Sequence, residues 1–424
     1  MKYNLNVKII PKEHYIKVEG NIQDIEHENG VSQFYLNELF KINKLSCKGK
    51  DIEYVYDKDA LHPQFDLISR PVILKTPVNG ELEFEYEGCI PEIINNINQI
   101  DEDIVELAIY SSWFPKNLID KDFEFKVIVE LPAEYILSAN GQITEVESDK
   151  SKKIYAIDSY GEGFDIVLFA SNKVVNCEKS ADGVSIRCVC PPNMKNFMIQ
   201  KIDALIEAQR RVSSLLGKIA EEYSMCFTYR PRGGWGYGRG SLVMMPGGDS
   251  DEEMIMTGSP ADHIGGDLHE LAHSWWCIAS FDTEDWINEG GAEYTMISTL
   301  KDMLGHADYF ELIGKLEYIK HITELASDSA ISETRTDDWD ARYVNRYEKT
   351  AIMYIGAELR FGKANLFKFL REFYEQNKIG RNATTERFLD LCEKIMGKEA
   401  REYFDWLLSA KGWGNIDINE EILK

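Results

Sequence analysis

At Pro191-Pro192 the hydrophobic period of this chain changes, and that switch limits what it can fold into. Before it, from Tyr3 to about Cys190, apolar residues alternate in short runs such as Asn6 to Ile10, Glu81 to Tyr86, Phe123 to Leu131 and Ile166 to Phe169. A period of two puts one side of each run against a core and the other in water, and Asn79-Gly80, Asn140-Gly141 and Asp182-Gly183 supply turns between them. This predicts an all-β sandwich, with a helical stretch near Ile100 to Leu107. After the switch, Met194 to Leu216 carries apolar residues at helical spacing and stops at Gly217. Phe227 to Met245 returns to strand and loop. From Ala307 onward the chain is helical, interrupted by the polar stretch Ser327 to Asp340, which predicts a loop. The fold class is therefore α+β: an N-terminal all-β sandwich domain over 1–190, then a mainly helical domain over 191–424 that includes a small sheet at about 220–250. With 424 residues, 44% of them hydrophobic, the chain can build two cores.

The chemistry concentrates in His269-Glu270-Leu271-Ala272-His273. On a helix, histidines four residues apart lie one turn above each other, so both rings can reach one Zn²⁺. Glu270 stands about 100° round the helix, beside such a metal but not aimed at it, which suits a base. A catalytic zinc takes three protein ligands and keeps a position for water. Trp286-Ile287-Asn288-Glu289-Gly290-Gly291-Ala292-Glu293-Tyr294 follows and opens another apolar-periodic stretch, to about Leu304. Glu289 is its natural third ligand, and Glu293, one turn on, is placed to accept the other N–H of a zinc histidine. Taken alone, these residues would be solvated histidines and an ordinary charged helix face. Ser259 as N-cap, Pro260 at the first position and Asp262 at the third predict where the histidine helix begins. Gly265 and Gly266 would then be interior, at roughly 1 kcal/mol each. His263 would point roughly 80–120° away from the zinc histidines and reads as a surface residue.

These segments resemble the aminopeptidase N and leukotriene hydrolase family of zinc metallopeptidases, within the thermolysin-like gluzincins. The family carries HExxH followed by W-L-N-E-G-F-A-E-Y, matched by His269 to His273 and Trp286 to Tyr294. Its Y-E-K-G segment is matched by Tyr347-Glu348-Lys349-Thr350, and Tyr343 corresponds to a second tyrosine at the active-site edge of some members. Ser111-Ser112-Trp113-Phe114-Pro115, Leu131-Pro132 and Ser138-Ala139-Asn140-Gly141 look like landmarks of the family's N-terminal β-domain, so the resemblance extends over most of the chain.

The resemblance implies a thermolysin-like catalytic domain that holds one Zn²⁺ per chain through His269, His273 and Glu289. It implies Glu270 as the base and Tyr347 as the oxyanion donor, acting on a peptide substrate. The substrate would lie extended along an edge strand near Gly240 to Val243, with Gly240, Ser241 and Tyr343 as candidate contacts; Arg239 is a candidate for a substrate carboxylate, though a structural arginine is the favoured reading.

There are departures. The gap from His273 to Glu289 is three residues shorter than is usual. Gly291 replaces phenylalanine and Thr350 replaces glycine. The G-x-M-E-N strand, whose glutamate grips the substrate's α-amine, is replaced by Gly236 to Met244, which contains no carboxylate. Asp249, Asp251, Glu252 and Glu253 are nearby substitutes. An endopeptidase or processing enzyme would need no such anchor, and a catalytically inactive binding scaffold or a hydrolase of non-peptide substrates would use the same fold. The helices after Ala307 end near Trp413, short of the large helical C-terminal domain of many relatives, which predicts a more open cleft.

A net charge of −25 argues against nucleic acid and anionic membrane surfaces as partners. No apolar run approaches the roughly 18–20 residues of a membrane span. The first residues lack the apolar segment of a signal peptide. The eight cysteines are scattered, and Cys188-x-Cys190 alternates like a strand, so nothing demands disulfides. A cytoplasmic location is the expectation. Sequence does not bear on oligomeric state.

Overall fold

The computed structural model describes the chain except residues 61–67, 91–97, 117–121, 220–222, 249, 251, 325–328 and 424. It divides into two compact units, one made of Met1–Cys177, Arg187–Asn196 and Met225–Met254, the other of Glu178–Ile186, Phe197–Ser224 and Ile255–Lys424.

The first unit is built on strands whose alternation is visible in the sequence. In Lys2–Ile10, Tyr3, Leu5, Val7 and Ile9 turn inward while their neighbours are more exposed. This strand runs parallel to Glu124–Pro132 and antiparallel to Tyr15–Ile25. It lies inside an eight-stranded sheet, whose order is Gln142–Ser148, Lys152–Asp158, Glu124–Pro132, Lys2–Ile10, Tyr15–Ile25, Gly80–Cys89, Lys41–Cys47 and Lys50–Asp51. Two three-stranded sheets share its core: Ile136–Ala139, Leu168–Ser171 and Ile104–Leu107, and Val31–Asn37, Ser69–Val78 and Tyr54–Tyr56. Side chains from all three sheets share one core, including Leu5, Val127, Leu107, Leu168, Phe34 and Val72, with Trp113 and Phe114 among them.

The helical stretch expected near Ile100 to Leu107 is instead the strand Ile104–Leu107, buried throughout. Its β-branched Ile104 and Val105 suit a strand with no solvent face. Glu106 is charged but wholly buried, and three partners account for it: Arg230 at 2.9 Å, Arg232 at 3.1 Å and the Tyr237 hydroxyl at 3.0 Å. That buried network groups the segment 225–254 with the β unit rather than with the helices that flank it in sequence.

In the second unit the helical spacing after Pro191-Pro192 becomes Lys195–Leu216, closed by Gly217 at φ +96°. Gly265–Ala272 and Trp286–Leu304 follow, here called the histidine helix and the glutamate helix. Most of the glutamate helix is buried on every side, including its polar Thr295, Ser298 and Thr299, as befits a central element. Helix Thr350–Phe361 packs against it, and Lys363–Asn377, Thr385–Met396 and Lys398–Ser409 follow in sequence; the described part of the stretch expected to be loop is loop apart from a single-turn helix at Ile331–Glu333 and the start of the helix Trp339–Tyr343. Among the described residues no helix is long and apolar enough to cross a membrane.

Candidate metal centre

The Ser259 cap forms as predicted, but on a shorter element. Ser259 Oγ accepts from the Ala261 N–H, and Asp262 Oδ2 accepts from the Ser259 N–H, closing the 3-10 turn Pro260–His263. The histidine helix starts afresh at Gly265, so Gly265 and Gly266 lie in its first turn instead of its interior. A Cβ at Gly265 would meet only ordinary contacts, with Leu300 and Met296 at 3.8 Å, so no close packing explains that glycine. His263 bonds the Thr257 carbonyl at 2.6 Å and stands edge-on to Phe197.

Asp267, in the first turn, forms a buried ion pair with Lys201 at 2.5 Å, which ties the histidine helix to Lys195–Leu216. Burial pushes the Asp267 pKa up and Lys201 pulls it back in part. Lys201→Met leaves that carboxylate buried without its cation, and is expected to cost about 3–5 kcal/mol. A lowered urea midpoint with unchanged slope is the measurement; a midpoint equal to wild type would show the pair does not support the fold.

One turn later His269 and His273 project together, their rings 4.9 Å apart. Both meet Glu289 from the glutamate helix: its Oε2 lies 3.5 Å from His269 Nε2 and 3.3 Å from His273 Nε2. Among the described residues these form the one trio of His, Cys, Asp or Glu whose ligand atoms all lie within 4.8 Å of one another. The other ring nitrogens face oxygen atoms. His269 Nδ1 lies 2.5 Å from Glu293 Oε2, and His273 Nδ1 lies 3.0 Å from the Trp276 carbonyl oxygen. Both partners are acceptors, so a proton on each Nδ1 would leave each Nε2 to meet a metal beside Glu289.

Three donor atoms converging this closely repel one another unless a proton or a metal cation lies between them. Burial disfavours a charged His269, yet Glu293 and Glu289 outweigh it and hold its pKa well above the histidine range. Burial likewise opposes an ionised Glu289, but His273 and His269 hold its pKa well below the carboxylate range. The pocket attracts positive charge. Two imidazoles and one carboxylate are a zinc donor set that leaves a coordination position open, so the residues present fit that metal.

Glu270 is half-buried and lies outside the trio, as the helical angle predicts. Tyr347 sits in a π-helical turn, Val344–Lys349, and its ring stacks on His269 at 5.5 Å. Such widened turns are frequent at functional sites. Burial, and after it the Glu289 carboxylate, push the Tyr347 pKa well above its ordinary value, so its hydroxyl stays a proton donor. Tyr343, more than half exposed, stacks on Tyr347 at 5.0 Å and extends the aromatic row outward.

Sequence reasoning missed several residues of this centre. Asp285 precedes Glu289 by one turn, so Asp285, Glu289 and Glu293 form a carboxylate stripe along one helix face. Asp285 is held by Arg346 at 2.7 Å and by Asn288 at 2.9 Å. Arg342 reaches both Asp285 and Glu289 at 3.6 Å. The Tyr318 hydroxyl donates to Glu293. The i, i+4 spacing of Asp285 was a readable signal; the arginines and Tyr318 come from other helices and left none.

No protein-family profile matches the sequence, and no curated protein sequence matches it. Solved structures do. An M1 zinc metallopeptidase from Deinococcus radiodurans bound to the substrate Tyr-Ser-Ala superposes with a TM-score of 0.73 at 16% identity, over 97% of this chain and 94% of that one. Legionella pneumophila aminopeptidase A in complex with aspartic acid gives 0.74 at 16% identity, over 97% and 49%. Yeast LTA4 hydrolase gives 0.69 at 14% identity, over 97% and 68%. The chain has the fold of the M1 zinc metallopeptidases.

Within this M1 fold, the departures noted in the sequence have local causes. A Cβ on Gly291 would lie 2.4 Å from the Trp276 ring, so the indole takes the space a phenylalanine at 291 would need. Trp276 also donates to Thr295 Oγ1 at 2.8 Å. A Cβ on Gly290 would strike Thr350 at 2.0 Å. The short linker between the two site helices is pinned by Asn288, whose Oδ1 accepts from the N–H groups of Ile278 and Ala279, both at 3.0 Å.

The substrate-strand candidates belong to the other compact unit. Leu242–Pro246 is not an edge strand. Val243 is paired with Phe227 on one side and Gly238 on the other, so its backbone has no free side for a peptide to join. The edge is Tyr237–Arg239, folded back through Gly240 at φ +54°. Ser241 is buried, and its carbonyl accepts from the Cys226 N–H at 2.8 Å. Arg239 pairs with Asp165 at 3.1 Å, donates to the Tyr110 hydroxyl at 2.6 Å and to the Gly238 carbonyl at 2.7 Å, and packs on the Phe164 and Tyr237 rings. Glu252 and Glu253 are exposed, while Asp249 and Asp251 lie outside the described residues.

Proposed function

We propose that the chain is a zinc metallopeptidase of aminopeptidase type, with its catalytic residues drawn from 191–424 and a β-sandwich domain over 1–190. The observation that carries this reading is the convergence of His269, His273 and Glu289 beside Glu270 and Tyr347 in an M1 fold. Peptide is the proposed substrate, supported by the Tyr-Ser-Ala complex of the Deinococcus protein. The eight cysteines are free thiols, which suits a reducing compartment such as the cytoplasm.

His269, His273 and Glu289 would hold the zinc. When bound, it supplies Lewis acidity at the substrate carbonyl and lowers the pKa of a water ligand toward neutrality. Glu293 and the Trp276 carbonyl orient the two imidazoles. Glu270 takes the proton of the attacking water and returns it to the leaving amine. Tyr347 keeps its proton and donates a hydrogen bond to the carbonyl oxygen as charge builds there.

The purified protein is expected to contain close to one zinc per chain and to hydrolyse short peptides, with both lost in His273→Ala. Hydrolysis that survives complete removal of the metal would sink the reading. An endopeptidase is the second reading, favoured by the lack of a carboxylate in Gly236 to Met244. The comparison that separates the two is kcat/KM for one peptide with a free and with an N-acetylated terminus. Internal cleavage of the acetylated form supports the endopeptidase; complete loss of cleavage supports an amine anchor elsewhere.

A further inference from the structure

Asp285, Glu289 and Glu293 repeat at one-turn intervals on one face of the glutamate helix, and each is at least largely buried. Three carboxylates so close in a site of low dielectric repel one another unless each has its own positive or donating partner. Glu293 has His269 Nδ1 and the Tyr318 hydroxyl. Asp285 has Arg346, whose other nitrogen is held by the Asp282 and Thr334 carbonyls, both at 2.8 Å. Glu289 offers Oε2 to the two imidazoles, and Arg342 Nη2 stands 3.6 Å from its other oxygen, Oε1. The same Nη2 stands 3.6 Å from Asp285 Oδ2.

We infer that Arg342 is a positioning residue that shares its charge between Asp285 and Glu289, holding Oε1 aside so that Oε2 is free to bind the metal. The inference rests on the zinc reading above. Both separations are ion-pair distances, too long for hydrogen bonds. Toward these two carboxylates Arg342 therefore acts by its positive charge. Any cation of similar reach should do the same, whereas a neutral chain of equal length should not. The residue comes from the helix Trp339–Tyr343, so it also links the metal ligand to the element that presents Tyr343 and leads into Tyr347.

The test is zinc affinity, measured on metal-free protein by competition with a chromophoric chelator, for wild type, Arg342→Met and Arg342→Lys. Arg342→Met is expected to bind zinc about 10–100-fold more weakly, the usual effect of removing a group that orients a ligand. The metal-free thermal midpoint is measured beside it: a purely structural arginine would lower the midpoint and leave the zinc affinity of the folded protein unchanged. Arg342→Lys is expected to recover affinity to within a few-fold. An affinity for Arg342→Met equal to wild type overturns the inference, and so does an Arg342→Lys as weak as Arg342→Met. If Arg342→Met does not fold, Arg342→Gln takes its place with the same expectation. Wild type that binds no zinc is a different failure, that of the metallopeptidase reading itself.

Discussion

Glu270→Gln is expected to lower kcat by about 10²–10⁴-fold, the usual cost of a lost general base, with zinc content and fold intact. The substitution keeps size and hydrogen bonding but removes the carboxylate that accepts a proton. Because Glu270 lies outside the ligand trio, no donor to the metal is lost. Its charge does act on its neighbours: it favours the charged forms of His269 and His273, after the larger effects of burial and of Glu293 and Glu289. The amide should therefore shift the histidines only modestly. The experiment measures turnover and metal content on one preparation. Unchanged turnover would remove Glu270 from the mechanism, and loss of zinc would move it into the ligand set.

Tyr347→Phe is expected to reduce kcat by about 10²–10³-fold, or about 2.7–4 kcal/mol, with little change in KM. A donor that acts on charge present only in the transition state appears in kcat and not in substrate affinity. The ring itself stays, stacked between His269 and Tyr343, so the packing of the π-helical turn should survive. A raised KM with unchanged kcat would assign Tyr347 to substrate positioning and make Tyr343 the better candidate donor. Tyr343 is more exposed and more remote from His269, so Tyr343→Phe should matter less.

The chain itself determined a good deal of this centre. A helix with a rise of 1.5 Å per residue and 3.6 residues per turn must put residues four apart on one face. His269 with His273, and Glu289 with Glu293, were therefore legible pairs, as were the alternating strands of the β unit and the change to helical period at Pro191-Pro192. Local signals were reliable where their partners are near in sequence, as for the Ser259-Asp262 box and the stop at Gly217. They failed where the partner is distant. The strand Ile104–Leu107 read as helical, and its buried Glu106 is tolerated through Arg230 and Arg232, more than a hundred residues away. Gly240 to Val243 read as an edge, although Phe227 and Gly238 pair with both sides of Val243. Arg239 was a candidate for a substrate carboxylate beside a favoured structural role, and its partners Asp165 and Tyr110 lie in separate segments. Asp285 was within reach of the same helical rule, but its role depends on Arg342 and Arg346 from another element. Periodicity reports which way a side chain faces; what it meets there is a long-range contact, and only the packed tertiary structure decides it.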